Sequence, residues 1–339
     1  RVHGSRGQFR FSGGQGMGMP AFGANARQRY DRTNWPIAAA MIQYANQLPD
    51  GRSVQDQSAD EWAATLSEIA DAGFTELDPT DCWLRVGDLS PQRRQEFRDV
   101  ATSLGLSIPA VSTARKNLID ADPAVGEANV SYGHRVIDAA AEIGASAVSF
   151  GFFGPLTERQ KQVLWFWTQD GVRNPDDPAM WRLAVERVRE LGLHAAELDM
   201  EVSLEMYEDT YLGTAESAAR FVTEVDLPNV GVNADIGNLI RLHRPVEKWA
   251  DMMARLAPLC RYWHVKNYIR DESADGRVVT HPAPLESGII NYRAALSMVL
   301  AHGFNSALLL EHYGGDGLSV CASNRDYLRR ILPRPEARA

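Results

Sequence analysis

The chain has 339 residues, 45 % of them hydrophobic and 23 % charged, a composition that buries a sizeable core and excludes disordered and fibrous classes. Its 35 basic and 44 acidic residues leave a net charge of −9, which repels a phosphate backbone or an anionic bilayer and argues against nucleic-acid and membrane partners. Three widely spaced cysteines, Cys82, Cys260 and Cys321, are odd in number and form no CxxC pair, so neither a disulfide framework nor a thiolate zinc site is expected.

A reducing cytoplasm is the expected setting, since no apolar run reaches the roughly 18 residues of a membrane span and the start carries no signal-peptide pattern. Residues 1–34 are rich in Gly, Arg and Gln, without period 2 or period 3.6, and read as an irregular arm. Its Phe9, Phe11, Met17, Met19 and Phe22 are more apolar than a plain linker requires, so the arm either orders against a neighbouring subunit or is a floppy tail.

From Trp35 onward short apolar runs alternate with amphipathic helical patterns. Strand 37–43 precedes a helix that starts at Ser58, an N-cap with Glu61 three residues on, and stops at Gly73. Strand 74–79 leads to helix 91–105, which has Pro91 at its first position, and strand 108–113 leads to helix 127–144. Next come strand 147–152, helix 178–199, strand 201–207, helix 214–225, strand 230–235 and helix 246–259. Strand 262–267, helix 291–303, strand 307–313 and helix 319–332 complete eight strand-then-helix units, before a tail at 334–339.

An eight-fold alternation predicts an α/β chain with a single (β/α)8 TIM barrel over residues 35–333. A doubly wound sheet is the rival. It usually carries a glycine-rich phosphate loop after its first strand, whereas the first connection here, QYANQLPDGRSVQDQSAD, has no GxGxxG.

In such a barrel the carboxyl ends of the strands carry the chemistry, and period-2 alternation selects which side chains point to the axis. Glu205 on strand five, Asp235 at the end of strand six, His264 on strand seven and Glu311 on strand eight all have inward parity. Any one of them alone would read as a salt-bridge partner or a satisfied core histidine. Four at successive strand ends crowd three carboxylates and an imidazole, which cannot stay ionised together without a cation. The oxygen-rich donor set favours Mn2+, with Mg2+ or Co2+ as alternatives.

These residues, in SLEMYE (203–208), NADIGN (233–238), HVKN (264–267) and LLEHY (309–313), resemble the xylose-isomerase-like TIM barrels, a family of sugar phosphate isomerases and epimerases that includes ketose 3-epimerases. The resemblance spans about residues 35–333 and includes PLESGIINY (284–292) as a glycine-bearing entry to helix seven. It implies that Glu205, Asp235, His264 and Glu311 bind one divalent ion, that Glu205 and Glu311 also move the proton, and that Arg270, six residues after the His, contacts sugar oxygen. The epimerase pattern has a histidine where this chain has Asn238, so the substrate-hydroxyl contact there is changed. The insertion at 154–177, with Trp165, Phe166 and Trp167, reads either as a buried mini-helix or as an apolar wall for an aglycone. Both departures bring in a second relative of the same fold, the α subunit of enzymes that remove sugar from 3-keto C-glycosides together with a small β-sandwich partner.

Further substrate contacts are expected from Lys266, which shares the parity of His264 and either stabilises an enediolate oxygen or holds Asp235. Glu76 and Asp78 at strand two either bind sugar hydroxyls or pair with Arg85 or Arg115, and His281 sits on the long loop after strand seven. His312 has the opposite parity to Glu311 and is expected behind the ligands or against a helix, while His134, His194 and His243 have no expected role. The resulting expectation is a metal-dependent enzyme that removes a proton beside a sugar carbonyl, ending in epimerisation, isomerisation or elimination of a β-substituent. A metal-binding scaffold that needs a partner subunit is the alternative. The substrate is a small sugar or glycoside, and the chain is expected in a homo-oligomer or in a hetero-oligomer with a small subunit.

Overall fold

The apolar runs form ten strands in the computed structural model, which describes residues 29–336. In chain order they are β1 (Ile37–Ala40), β2 (Glu76–Asp78), β3 (Ala110–Ser112), β4 (Ala147–Phe150), β5 (Glu201–Glu205), β6 (Val230–Asn233), β7 (Trp263–Val265), β8 (Asn267–Glu272), β9 (Val278–Ala283) and β10 (Leu308–Leu310). Two parallel sheets, ordered β2-β1-β10-β7 and β3-β4-β5-β6, make the barrel wall. Single bridges stitch the two seams between them, Glu76 to Ser107 and Val232 to Cys260. At the second seam Gly231 leaves the room that lets the Leu259 carbonyl and Arg261 approach, space a Cβ would fill.

Each barrel strand is followed by a helix, as the alternation predicts, and the helix starts follow local chemistry. Helix Ala59–Asp71 has both arms of its capping box, Ser58 Oγ accepting from Glu61 N and the Glu61 carboxylate accepting from Ser58 N, an arrangement that contributes about 1 kcal/mol. The third helix pattern begins earlier than 127: Asp122 caps and Pro123 occupies the first position of helix Pro123–Glu142. The stretch after strand seven, expected as a long loop, folds into the antiparallel ribbon β8–β9. The 165–167 insertion is one 3-10 turn, Phe166–Thr168, with Trp167 buried and its two neighbours half-buried. Among the described residues no helix is long and apolar enough to cross a membrane.

Two apolar layers result. Between wall and helices lies the main core, with Trp62, Phe97, Phe150, Phe221 and Trp263 among its largest side chains. Inside the barrel Ala38, Ala40, Ala110, Ala147, Ala307 and Leu309 pack around Tyr262, and these small residues leave the space above them to polar groups. Residues 29–34, the end of the expected arm, lie against the last helix: Arg32 donates to the Leu332 and Arg330 carbonyls. The arm's Phe9, Phe11, Met17, Met19 and Phe22 lie outside the described residues, as do the last three residues of the tail.

Candidate metal centre

The inward parity read for the last four barrel strands brings Glu205, Asp235, His264 and Glu311 together above the Tyr262 layer. His264 Nδ1 stands 3.5 Å from Glu311 Oε1, 3.7 Å from Asp235 Oδ2 and 3.8 Å from Glu205 Oε1. Ligating atoms of Glu205, Asp235 and His264 lie within 4.8 Å of one another. Neither His264 Nδ1 nor Asp235 Oδ1 has a hydrogen-bond partner among the described residues, although both are buried. The other imidazole nitrogen is taken: Nε2 lies 2.9 Å from Ser112 Oγ, which donates to Asp78 Oδ2 at 2.6 Å. This relay puts a proton on Nε2 and turns the Nδ1 lone pair toward the carboxylates, the orientation a metal-bound histidine requires. An orphaned imidazole nitrogen facing three carboxylates, one of which keeps its second oxygen unpaired, fits a hard divalent cation.

Lys266 and Asn238 hold the cluster in place. Lys266 Nζ donates to Asp235 Oδ2 at 2.5 Å and to Glu311 Oε2. Asn238 Nδ2 donates to Met206 O at 2.8 Å and, at 3.2 Å each, to Glu205 Oε1 and Asp235 Oδ2. Burial pushes the Asp235 carboxyl up to about 7 against the opposing Lys266 charge, and the Glu311 and Glu205 carboxylates add to the rise. His264 reaches about 9, because Glu311, Glu205 and Asp235 together outweigh its burial. Glu311 is held below the usual carboxylate range, Lys266 and His264 overcoming its burial. The metal-free chain thus concentrates more negative charge than its own cations comfortably neutralise.

The xylose isomerase-like TIM barrel family matches residues 66–331. The chain belongs to this family. A xylose isomerase-like TIM barrel protein from Mycobacterium smegmatis, solved in complex with magnesium, is 43 % identical, with a TM-score of 0.85 over 89 % of this chain and 98 % of that one. A ketose 3-epimerase from Arthrobacter globiformis is 29 % identical over 163 residues, so the chain spans about half the length of that curated relative: 46 % of this chain aligns with 50 % of it. The 3-keto-D-glucoside 4-epimerase from E. coli shares the fold, with a TM-score of 0.60 and 15 % identity over 88 % of this chain and 100 % of that one.

Several residues expected at a family substrate site stand elsewhere. Arg270, on β8, spends its guanidinium on the Ile240, Leu242 and Arg244 carbonyls and on Glu272, so it clamps the loop after β6. His281 lies on the exposed face of β9, opposite Thr280, whose hydroxyl turns inward to the Arg241 carbonyl. Glu76 starts β2 instead of ending it and faces the charges of Arg329 and Arg325 on the last helix, at the closed end of the barrel. Asp78 pairs with neither Arg85 nor Arg115 and is bound by Thr80, Ser112 and Tyr262. Asn238 meets the ligands themselves, and Lys266 takes the ion-pairing role of its two expected ones. His312 is half-buried, and among the described residues its side chain makes no hydrogen bond or ion pair with any of the four.

Other groups join the site that the sequence reading left aside. Tyr207 and Tyr313 each follow a candidate ligand, Glu205 or Glu311, by two residues, so the same parity also carries these rings inward. Arg241 lies with its guanidinium carbon 4.9 to 6.0 Å from the rings of Phe166, Trp167, Tyr207 and Tyr313. The guanidinium carbon of Arg115 lies 5.1 Å from the centre of the Phe166 ring. Both arginines sit on loops, where no periodicity marks them.

Proposed function

We propose that this chain is a divalent-metal-dependent sugar isomerase or epimerase that takes a proton from the carbon beside a sugar carbonyl. One observation carries the reading: the orphaned His264 Nδ1 and Asp235 Oδ1, buried among the Glu205 and Glu311 carboxylates. A bound divalent ion, Mn2+ first and Mg2+ or Co2+ as alternatives, supplies the charge that polarises the carbonyl and steadies an enediolate. The magnesium complex of the 43 % identical relative supports a divalent ion.

The chain's own residues do the rest. Glu205 and Glu311 are each 7 % exposed, whereas Asp235 and His264 are at 1 %, so the two glutamates are the members of the quartet open to a substrate above them. They come from β5 and from the end of β10, on either side of His264. That placement lets one carboxylate take the proton while the other returns it from the opposite side, which inverts a carbon centre. Lys266 keeps Glu311 ionised and ready to accept, and Asn238 fixes Glu205 Oε1. The names of the ketose 3-epimerase and 3-keto-D-glucoside 4-epimerase relatives support a sugar carrying a carbonyl.

Expulsion of a β-substituent from a 3-keto glycoside is the second reading, favoured by the aromatic wall of Phe166, Trp167, Tyr207 and Tyr313 over the rim. NMR in D2O separates the two, with D-fructose and a 3-keto glycoside offered to the Mn2+-loaded chain. Deuterium at the carbon beside the carbonyl with an intact glycosidic bond supports the epimerase. Released aglycone supports elimination, and no exchange in either substrate overturns both.

A further inference from the structure

Arg241 is fully buried directly after the short helix Gly237–Ile240. Its Nη2 donates to both oxygens of Glu208, at 3.1 and 3.3 Å. Its Nε and Nη1 have no hydrogen-bond partner of good geometry among the described residues, and the buried Tyr268 hydroxyl beside it interacts with this same guanidinium. Leaving a buried charged donor unpaired costs about 1–3 kcal/mol or more, so a folded chain that keeps two of them on one guanidinium has room there for a group that pairs them.

Close to the same Phe166 ring lies Arg115, whose Nη1 and Nη2 donate to the Gly154 carbonyl and the Tyr207 hydroxyl and which has no carboxylate within ion-pair distance among the described residues. Two guanidiniums therefore share one carboxylate, Glu208, and the chamber holds one surplus positive charge. Glu205, Asp235 and Glu311 do not cancel it, because Lys266 and the cation site already draw on them. The Arg241 charge is nonetheless felt at Glu311, so the two sites are neighbours.

We infer that the chamber binds a carboxylate carried by the substrate, so that the preferred substrate is a keto-sugar acid. Its carboxylate lies against Arg241 and Arg115 while its hydroxy-carbonyl end faces Glu205 and Glu311. A carboxylate, with one charge, matches the surplus of one, whereas a phosphate monoester brings about −1.5 to −2. The aromatic rings exclude water, which strengthens each charged hydrogen bond made there. Arg115, Phe166 and Tyr313 are only half-buried, so this side of the site is not sealed from solvent. The inference rests on the sugar reading above and deepens it.

Isothermal calorimetry on the full Mn2+-loaded chain tests it with three probes of one carbon skeleton: D-fructose, D-fructuronate and D-fructose 6-phosphate. D-fructuronate is expected to bind at least about tenfold more tightly than D-fructose. Arg241→Gln is expected to reduce that ratio to below about threefold, and Arg115→Gln to reduce it in part. Glu208→Gln, which enlarges the surplus without touching a donor aimed into the chamber, is expected to raise the ratio and covers the case in which Arg241→Gln does not fold. Equal binding of D-fructose and D-fructuronate overturns the carboxylate site while leaving the sugar reading intact. A preference that survives in Arg241→Gln also overturns it, because the carboxylate then goes to the metal. Tightest binding of D-fructose 6-phosphate replaces a carboxylate by a phosphate and overturns it too. Binding of none of the three overturns the sugar reading, and the inference with it.

Discussion

Two buried aspartates sit about one layer apart inside the barrel, and they are treated differently. Asp78, at the end of β2, accepts from Thr80 N and Ser112 N on one oxygen and from Ser112 Oγ and Tyr262 OH on the other. Asp235, beyond the end of β6, receives Lys266 and Asn238 on Oδ2 and nothing on Oδ1. Burial raises the carboxyl of both. The complete one is a peg: it pins β2 to β3 and β7, and its Thr80 contact holds a β-branched residue at φ 47, a conformation threonine does not adopt unaided. The incomplete one is the group we propose as a ligand of a cation. Counting donors on each oxygen thus separates structural from functional carboxylates where burial alone does not.

The sharpest way to break this contrast is to make the same change at both. Asp235→Asn is expected to remove the bound ion, read as loss of about one metal per subunit by elemental analysis, with little change in the Tm of the metal-free chain. Asp78→Asn is expected to lower stability by about 1–3 kcal/mol in denaturant unfolding, since two donors lose their acceptor. If Asp78→Asn loses the metal at unchanged stability, the two roles are reversed. Next in size, Glu205→Gln or Glu311→Gln is expected to lower kcat by at least about 10², whereas His312→Ala changes it less than about threefold. Steady-state kinetics on the substrate found by NMR reads this. A larger loss at His312 means that the inward register of β10 is wrong by one residue.

The link between peg and ligand is Ser112. Ser112→Ala is expected to weaken metal binding by about 10- to 100-fold in competition with a chelator, by freeing the imidazole from Asp78. An unchanged affinity would mean that the relay does not orient His264. The smallest expected effect concerns pH. In the metal-free chain His264 is held at about 9 and Asp235 at about 7, both above their ordinary values, so below those points a proton occupies a ligand atom. Metal affinity therefore rises with pH through about 7 and flattens above about 9. Calorimetry near pH 7.5 in two buffers of different ionisation enthalpy should show roughly one proton released per ion. No release would show that neither ligand is protonated there.

Much of the architecture is legible because period 2 and period 3.6 are local properties. The quartet follows from parity plus the rule that chemistry sits at strand ends, and the tyrosines at 207 and 313 were available by the same step. Glu76 was misplaced because parity says which face a residue takes but not how far along the strand it lies, and β2 is only three residues long. Arg270 and His281 fall on a ribbon that the sequence presents as a polar loop, since charged Arg270, Asp271 and Glu272 hide its alternation. The Asp122–Pro123 helix start was a readable signal left unread. Arg115 and Arg241 are different: their positions depend on loop paths and on which carboxylates come near, and no spacing encodes that.

Lys266 has a consequence for the order of events in the life of the chain. Three carboxylates turned into one apolar cylinder would resist folding if they had to wait for an external cation. The ammonium that bridges Asp235 and Glu311 travels with the polypeptide, so the centre can close on an internal counter-ion, and the proposed metal would load afterwards. Loading after folding would make the ion exchangeable, its identity depending on supply as much as on affinity. The same polypeptide recovered from manganese-rich and from magnesium-rich cells would carry different ions on an unchanged scaffold.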